Sequence, residues 1–135
     1  ELSKKALELL HSILPVTNGI AVAIGLPVLY QELIYNAVAF VVDGKVVGIT
    51  AKKYLAKEGV HYEPRWFEPC PSGLSDFIEY NNQKIPFGDL YYSISVAKNH
   101  LSKMIFRLCL IQVQAISLLK NTSKELRLLN LQLRN

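Results

Sequence analysis

The sequence predicts an α+β protein with a helical C-terminal tail. Three observations carry that reading: an amphipathic stretch at the start, two β-branched runs joined by Asp43-Gly44, and a final stretch without glycine or proline. Residues 3–14 place Ala6, Leu7, Leu10, Ile13 and Leu14 at helical spacing, Ser3 stands where a cap is needed, and Pro15 ends the run. Residues 20–26 are a short apolar run, which predicts a strand buried on both faces. Residues 34–42 predict a second strand and residues 45–50 a third, because Asp43-Gly44 between them supplies the left-handed dihedrals of a two-residue hairpin turn. Residues 54–82 read as a long loop punctuated by Gly59, Pro64, Pro69, Pro71 and Gly73, and loops of that length are uncommon unless they carry function. Residues 85–94 predict another strand. From about residue 100 to 133 no breaker interrupts a chain rich in Leu, Lys and Arg, so propensity predicts helix.

Composition divides the chain in two. The formal charge is +4 over 135 residues. Up to Ser95, however, eight Lys and Arg stand against ten Asp and Glu, whereas residues 96–135 hold seven against the single acid Glu125. All seven glycines and all six prolines lie at or before Gly88. The expected organisation is therefore one domain over residues 1–95 and a distinct tail over residues 96–135. Charge confined to the tail argues against a nucleic-acid surface. The most apolar stretch, residues 104–119, is interrupted by Arg107, Gln112 and Gln114 and is shorter than the ~20 residues of a membrane span. Two cysteines, Cys70 and Cys109, make neither a zinc site nor a disulfide framework, which fits reduced thiols in a cytoplasmic protein. Glu1 opens directly into the helical stretch, with no initiator methionine and no leader pattern, so the chain is expected to be processed or a piece of a longer one.

Taken by themselves, the chemistry-bearing residues are modest. Lys52 and Lys53 follow the third predicted strand, where strand ends meet functional loops, although a solvated lysine pair is the plainer reading. His61, Tyr62, Glu63, Arg65 and Trp66 mix acid, base and aromatic groups in one short loop, and a surface salt bridge packed on a ring would look the same. Cys109 lies in an apolar stretch, where a buried inert thiol is the default. No Gly-rich phosphate loop or HExxH-type metal motif is present.

Five strings add a resemblance. Gly25-Leu26-Pro27, Tyr35-Asn36-Ala37-Val38, Asp43-Gly44-Lys45-Val46-Val47-Gly48, Ala51-Lys52-Lys53-Tyr54-Leu55-Ala56 and His61-Tyr62-Glu63-Pro64-Arg65-Trp66-Phe67 follow one another in the order and at the spacing of the nitrilase superfamily of carbon–nitrogen hydrolases. With Ile85-Pro86-Phe87-Gly88-Asp89-Leu90-Tyr91 downstream, they most resemble the glutaminase domain of bacterial glutamine-dependent NAD synthetases. The resemblance covers about the first 95 residues. It implies a four-layer αββα sandwich and a Glu–Lys–Cys hydrolase acting on the side-chain amide of glutamine. In that scheme the cysteine attacks the amide carbon, a glutamate takes and returns the proton, and a lysine stabilises the oxyanion. Lys52 matches the family's catalytic lysine. Glu63 matches the loop glutamate that positions lysine and substrate, and Tyr62, Arg65 and Trp66 match the substrate loop. The resemblance further implies glutamine as substrate, a separate synthetase domain that uses ATP and deamido-NAD, and a homo-oligomeric parent, with no cofactor on these residues and no nucleic-acid or membrane partner.

Two family positions have no counterpart. The general-base glutamate of the family lies upstream of the matched region, and Glu1, directly before the helix, does not fill it. The nucleophile is expected about a dozen residues beyond Tyr91 in a Glu-Ile-Cys-Glu-Asp string, where the chain reads Ser102-Lys103-Met104-Ile105-Phe106. Phe106-Arg107-Leu108-Cys109 echoes that string only in part, leaving Cys109 a poor candidate. A shifted reading frame accounts together for the tail's missing Gly and Pro, its charge and the end of the resemblance. The rival is a divergent helix that covers a sheet edge or mediates dimerisation. The sequence thus predicts a partial sandwich that does not turn over alone. Another nitrilase-family amidase, or a non-catalytic remnant acting as an interaction module, are the alternatives.

Overall fold

The computed structural model describes residues 1–95 and 103–106, with side chains described through Tyr92. A first helix, α1 (Leu2–Ile13), runs into a 3₁₀ turn, Leu14–Thr17, opened by Pro15. Seven strands follow: β1 (Ala21–Tyr30), β2 (Leu33–Val42), β3 (Lys45–Ala51), β4 (Ser75–Tyr80), β5 (Gln83–Gly88), β6 (Tyr92–Ser95) and β7 (Lys103–Phe106). The first five form one mixed sheet in the order β1-β2-β3-β5-β4, and β6 pairs antiparallel with β7 in a separate two-stranded ladder. All neighbours in the large sheet are antiparallel except β3 and β5, which run parallel through Ile49 opposite Phe87 and Thr50 opposite Gly88. The architecture is α+β.

Hairpin chemistry sets the register. Asp43 (φ 49°) and Gly44 (φ 72°) turn β2 into β3, as their sequence predicts. Two further pairs, Gln31-Glu32 and Asn81-Asn82, take the same left-handed conformation and join β1 to β2 and β4 to β5. Because side chains alternate, one face of the sheet collects Leu26, Val28, Tyr35, Ala37, Ala39, Val41, Ile49, Ile85 and Phe87. α1 lays Ala6, Leu7 and Leu10 on that face, and Leu14 of the following 3₁₀ turn joins them. Fully burying a side chain such as Phe87, Ile49 or Leu10 stabilises the fold by roughly 1.5–3 kcal/mol each. The opposite face is covered over part of its area by Leu90 and Tyr92, packed on Phe40 and Val42, and Phe40 and Tyr92 stack with ring centroids 5.3 Å apart.

Several expectations need correction. Ser3 does not cap α1: Glu1 holds the cap position and Ser3 is buried inside the first turn. The strand expected at residues 20–26, buried on both faces, is an edge strand that runs on to Tyr30 and is mostly half-buried. Pro27 fits there for a geometric reason. Its partner Asn36 turns its carbonyl toward β3, accepting from the Lys52 N–H, so the Pro27–Asn36 pair is a non-hydrogen-bonded one and the missing N–H points off the sheet edge. The loop expected over residues 54–82 contains β4, and the strand expected over 85–94 is two, β5 and β6, separated at Asp89-Leu90-Tyr91. Most of the helix expected from about residue 100 to 133, and Cys109 within it, lie outside the described residues. Where the tail is described, at Lys103–Phe106, it is strand rather than helix. Met, Ile and Phe accept extended structure once a ladder partner is present, and here that partner is β6. No helix among the described residues is long and apolar enough to cross a membrane.

Candidate functional site

Lys52 stands one residue beyond β3, on the sheet face opposite α1, beside Asn36 of β2. The loop that follows brings Glu63 back to both. Lys52 Nζ lies 2.9 Å from Glu63 Oε1 and 2.8 Å from Oε2. Asn36 Nδ2 donates to Oε1 at 2.8 Å, and the Ala56 N–H donates to Oε2 at 2.6 Å. The Glu63 N–H in turn donates to the Ala56 carbonyl at 2.9 Å, closing the intervening loop on itself. The loop's turn comes from Glu63-Pro64-Arg65, a short 3₁₀ segment whose proline presets φ.

The pair is shielded, with 14% of the lysine and 19% of the glutamate side chain accessible. Burial by itself would lift the Glu63 carboxyl. The hydrogen bonds from Lys52, Ala56 and Asn36 and the charge of Lys52 outweigh it and hold Glu63 below the ordinary carboxylate range. Glu63 is therefore ionised and poorly suited to accept a proton. An ammonium has three donors and Glu63 engages two directions of it, which leaves Lys52 capacity for one more acceptor. A fixed cation with a spare donor at the rim of a sheet suits stabilisation of a developing negative charge.

A second ion pair braces the same strand end. Lys53 Nζ lies 2.7 Å from Asp89 Oδ2, which also accepts from the Gly73 N–H at 3.1 Å. That hydrogen bond to Asp89 raises the Lys53 pKa, and burial opposes it only in part. The Cys70 N–H donates to the Lys52 carbonyl at 2.9 Å, so the segment after the loop is laced to the lysines through backbone as well. Cys70 itself is no nucleophile. Its thiol is buried, and burial, reinforced by Asp89 and only partly offset by Lys53, pushes its pKa up to about 11.

Of the residues singled out in the sequence, Lys52 and Glu63 meet. Tyr62, Arg65 and Trp66 lie exposed on the loop, Trp66 with 70% of its surface accessible, and His61 is exposed beside them. Lys53, given as a solvated neighbour in the plainer reading, is instead half-buried in an ion pair. Asn36 and Asp89 join the site without any local signal in the sequence that nominates them beyond membership of the Tyr35-Asn36 and Gly88-Asp89 strings, since neither lies near its partner along the chain. Among the described residues no group of three or more His, Cys, Asp or Glu comes together to hold a metal.

The chain is similar to known proteins in sequence and in fold. No protein-family model matches the chain. The glutamine-dependent NAD(+) synthetase of Saccharomyces cerevisiae is 35% identical over 82 residues, which are 54% of this chain and 12% of that protein. The human protein of the same name is 31% identical over 86 residues, 56% of this chain and 12% of its own length. Among solved structures, the glutamine-dependent NAD(+) synthetase of Cytophaga hutchinsonii superposes with a TM-score of 0.65 and 40% identity, covering 69% of this chain and 16% of that one. The chain thus spans about an eighth of the length of the curated relatives it matches. Over the matched residues, in sequence and in fold alike, the chain is a homologue of the glutamine-dependent NAD(+) synthetases.

Proposed function

We propose that these residues are part of a glutamine-amide hydrolase domain that supplies ammonia for NAD synthesis. The observation that carries the reading is the shielded Lys52–Glu63 pair at the end of β3. In the proposed reaction a cysteine thiolate adds to the side-chain amide carbon of glutamine, and the carbonyl oxygen becomes an oxyanion facing Lys52. A general base first takes the thiol proton; as the intermediate collapses, its conjugate acid returns that proton to the leaving nitrogen, ammonia departs, and the thioester left behind is cleaved by water to glutamate and free thiol. Lys52 stabilises the oxyanion. Glu63, already saturated with donors, fixes the lysine rather than carrying the proton. Tyr62, Arg65 and Trp66 form the exposed loop over which substrate enters.

The described residues supply neither a suitable thiol nor a second carboxylate at Lys52, so residues 1–95 are read as a partial αββα sandwich and residues 96–135 as a divergent or frame-shifted tail. The chain as given is expected to release no ammonia from glutamine. ATP and deamido-NAD are assigned to a separate synthetase domain in a cytoplasmic, homo-oligomeric parent.

A chimaera tests the reading. Residues 21–92 replace the matching segment of the Cytophaga hutchinsonii enzyme, and NAD formation is measured with glutamine and with added ammonia. Retained glutamine-dependent synthesis that is lost on Lys52→Ala, while ammonia still serves, supports the assignment. A chimaera that uses ammonia but never glutamine overturns it. For the chain itself, ammonia release abolished by Cys109→Ala would make Cys109 the nucleophile and the tail native.

A further inference from the structure

We propose that Asn36 is the positioning residue of the site, holding the Glu63 carboxylate with its side chain and the Lys52 backbone with its carbonyl. The inference rests on the reading of Lys52 and Glu63 as hydrolase machinery, and it names what keeps the two in register. Glu63 reaches the site from a loop, and a glutamate side chain has three rotatable bonds to immobilise. Its donors come from three places. Ala56 belongs to the same loop and moves with it, and Lys52 is the group to be positioned. Asn36 alone among them stands in the middle of the sheet, on β2, flanked by β1 and β3.

The backbone at Asn36 is equally committed. Its carbonyl accepts the Lys52 N–H at 2.7 Å, so the lysine's Cα is set by the same residue whose amide sets the carboxylate. Pro27 opposite makes no demand on those groups, because that cross-strand pair is non-hydrogen-bonded. The residue type also matters. A carboxamide of this length is a neutral donor, whereas an aspartate of the same shape would face Glu63 with a second negative charge. The charged group that bears on Glu63 is Lys52, and its remaining partners are the Asn36 amide and the Ala56 N–H.

The test is a carbon-13 titration of the Glu63 carboxyl in this full chain and in the variants Asn36→Ala, Asn36→Ser and Asn36→Asp, with amide spectra reporting the β2–β3 hairpin. The Glu63 midpoint is expected to move up in Asn36→Ala, further in Asn36→Asp, and least in Asn36→Ser, where a hydroxyl donor remains. The hairpin amides of β2 and β3 hold their positions. A purely structural role would shift those amides and leave the midpoint in place. An unchanged Glu63 midpoint in a folded Asn36→Ala or Asn36→Asp chain overturns the proposal, and should the aspartate variant unfold, the alanine and serine variants decide it. The readout needs no turnover, so a chimaera that fails to use glutamine refutes the hydrolase reading while the titration still judges Asn36.

Discussion

At the scale of single residues, Lys52 and Glu63 depend on each other more than either depends on solvent. Removing the lysine strands a carboxylate that is four-fifths buried, and Lys52→Ala should cost about 1–3 kcal/mol in urea unfolding. Lys52→Met should cost less, since its chain keeps the packing of the lysine stem. The pair also fixes an acid limb. Glu63 is depressed from the ordinary value of 4.5, so its contribution is complete above that value and disappears as pH falls through the lower folded value. Glu63→Gln should therefore lose stability relative to the parent chain at neutral pH, and the difference should narrow below about pH 4. A constant difference across that window in thermal melts would contradict the assignment. Cys70 offers a second check. In a Cys109→Ala background its thiol should resist disulfide reagents at pH 8, because it is buried and largely protonated, and Asp89→Asn should speed the reaction by removing a negative charge that disfavours the thiolate.

At the scale of elements, the strands are held as much by what their ends permit as by their apolar faces. Gly88 closes β5 at φ 142°, and a Cβ added there would drive into the backbone carbonyl of Leu74, which has no flexible end to yield. Gly88→Ala should destabilise by roughly 2 kcal/mol or more, read as a lowered melting temperature, and should loosen the Asp89 N–H bond to the Leu74 carbonyl. The same elements show what the sequence discloses and what it hides. The β2–β3 hairpin was legible because Asp43-Gly44 is a strong turn signal between apolar runs. β4 was not, because Ser75-Asp76-Phe77 looks like loop until Asn81-Asn82 is recognised as a left-handed pair with alternation resuming beyond it. Lys52 and Glu63 could be nominated from their strings. Asn36 stays hidden for a different reason: its role is a contact across the fold, and nothing within a few residues of it points to Glu63. The break at Asp89 in the strand expected over residues 85–94 follows the same logic, since its partner Lys53 lies 36 positions away along the chain.

At the scale of the whole molecule, the sheet is covered on one face and only in part on the other. β1 and β4 are its edges, and the face opposite α1 exposes Leu29, Ile34 and Phe77. α1 carries Leu2 and Leu9 outward as well, and the 3₁₀ turn after it exposes Val16. Exposed apolar surface flanked by open strand edges favours assembly, because both the backbone groups of an edge and the apolar side chains gain partners by it. The chain is expected to self-associate, with sedimentation coefficients that rise with concentration and a dye that reports apolar surface bound strongly at low concentration. Leu29→Lys with Phe77→Lys should lower the association and the dye signal together, while leaving the core of Val28, Ile49 and Phe87 and the melting temperature little changed, since both side chains are more than half exposed. Should the same pair of changes leave the sedimentation profile untouched, the contact must be made elsewhere, and the outward side of α1 is the next surface to charge, with Leu2→Glu and Leu9→Glu as the matching pair. A chain that stays monomeric throughout the dilution series would mean that this open face is closed from within its own sequence, which would argue for a tail that folds back over the sheet rather than one displaced from it.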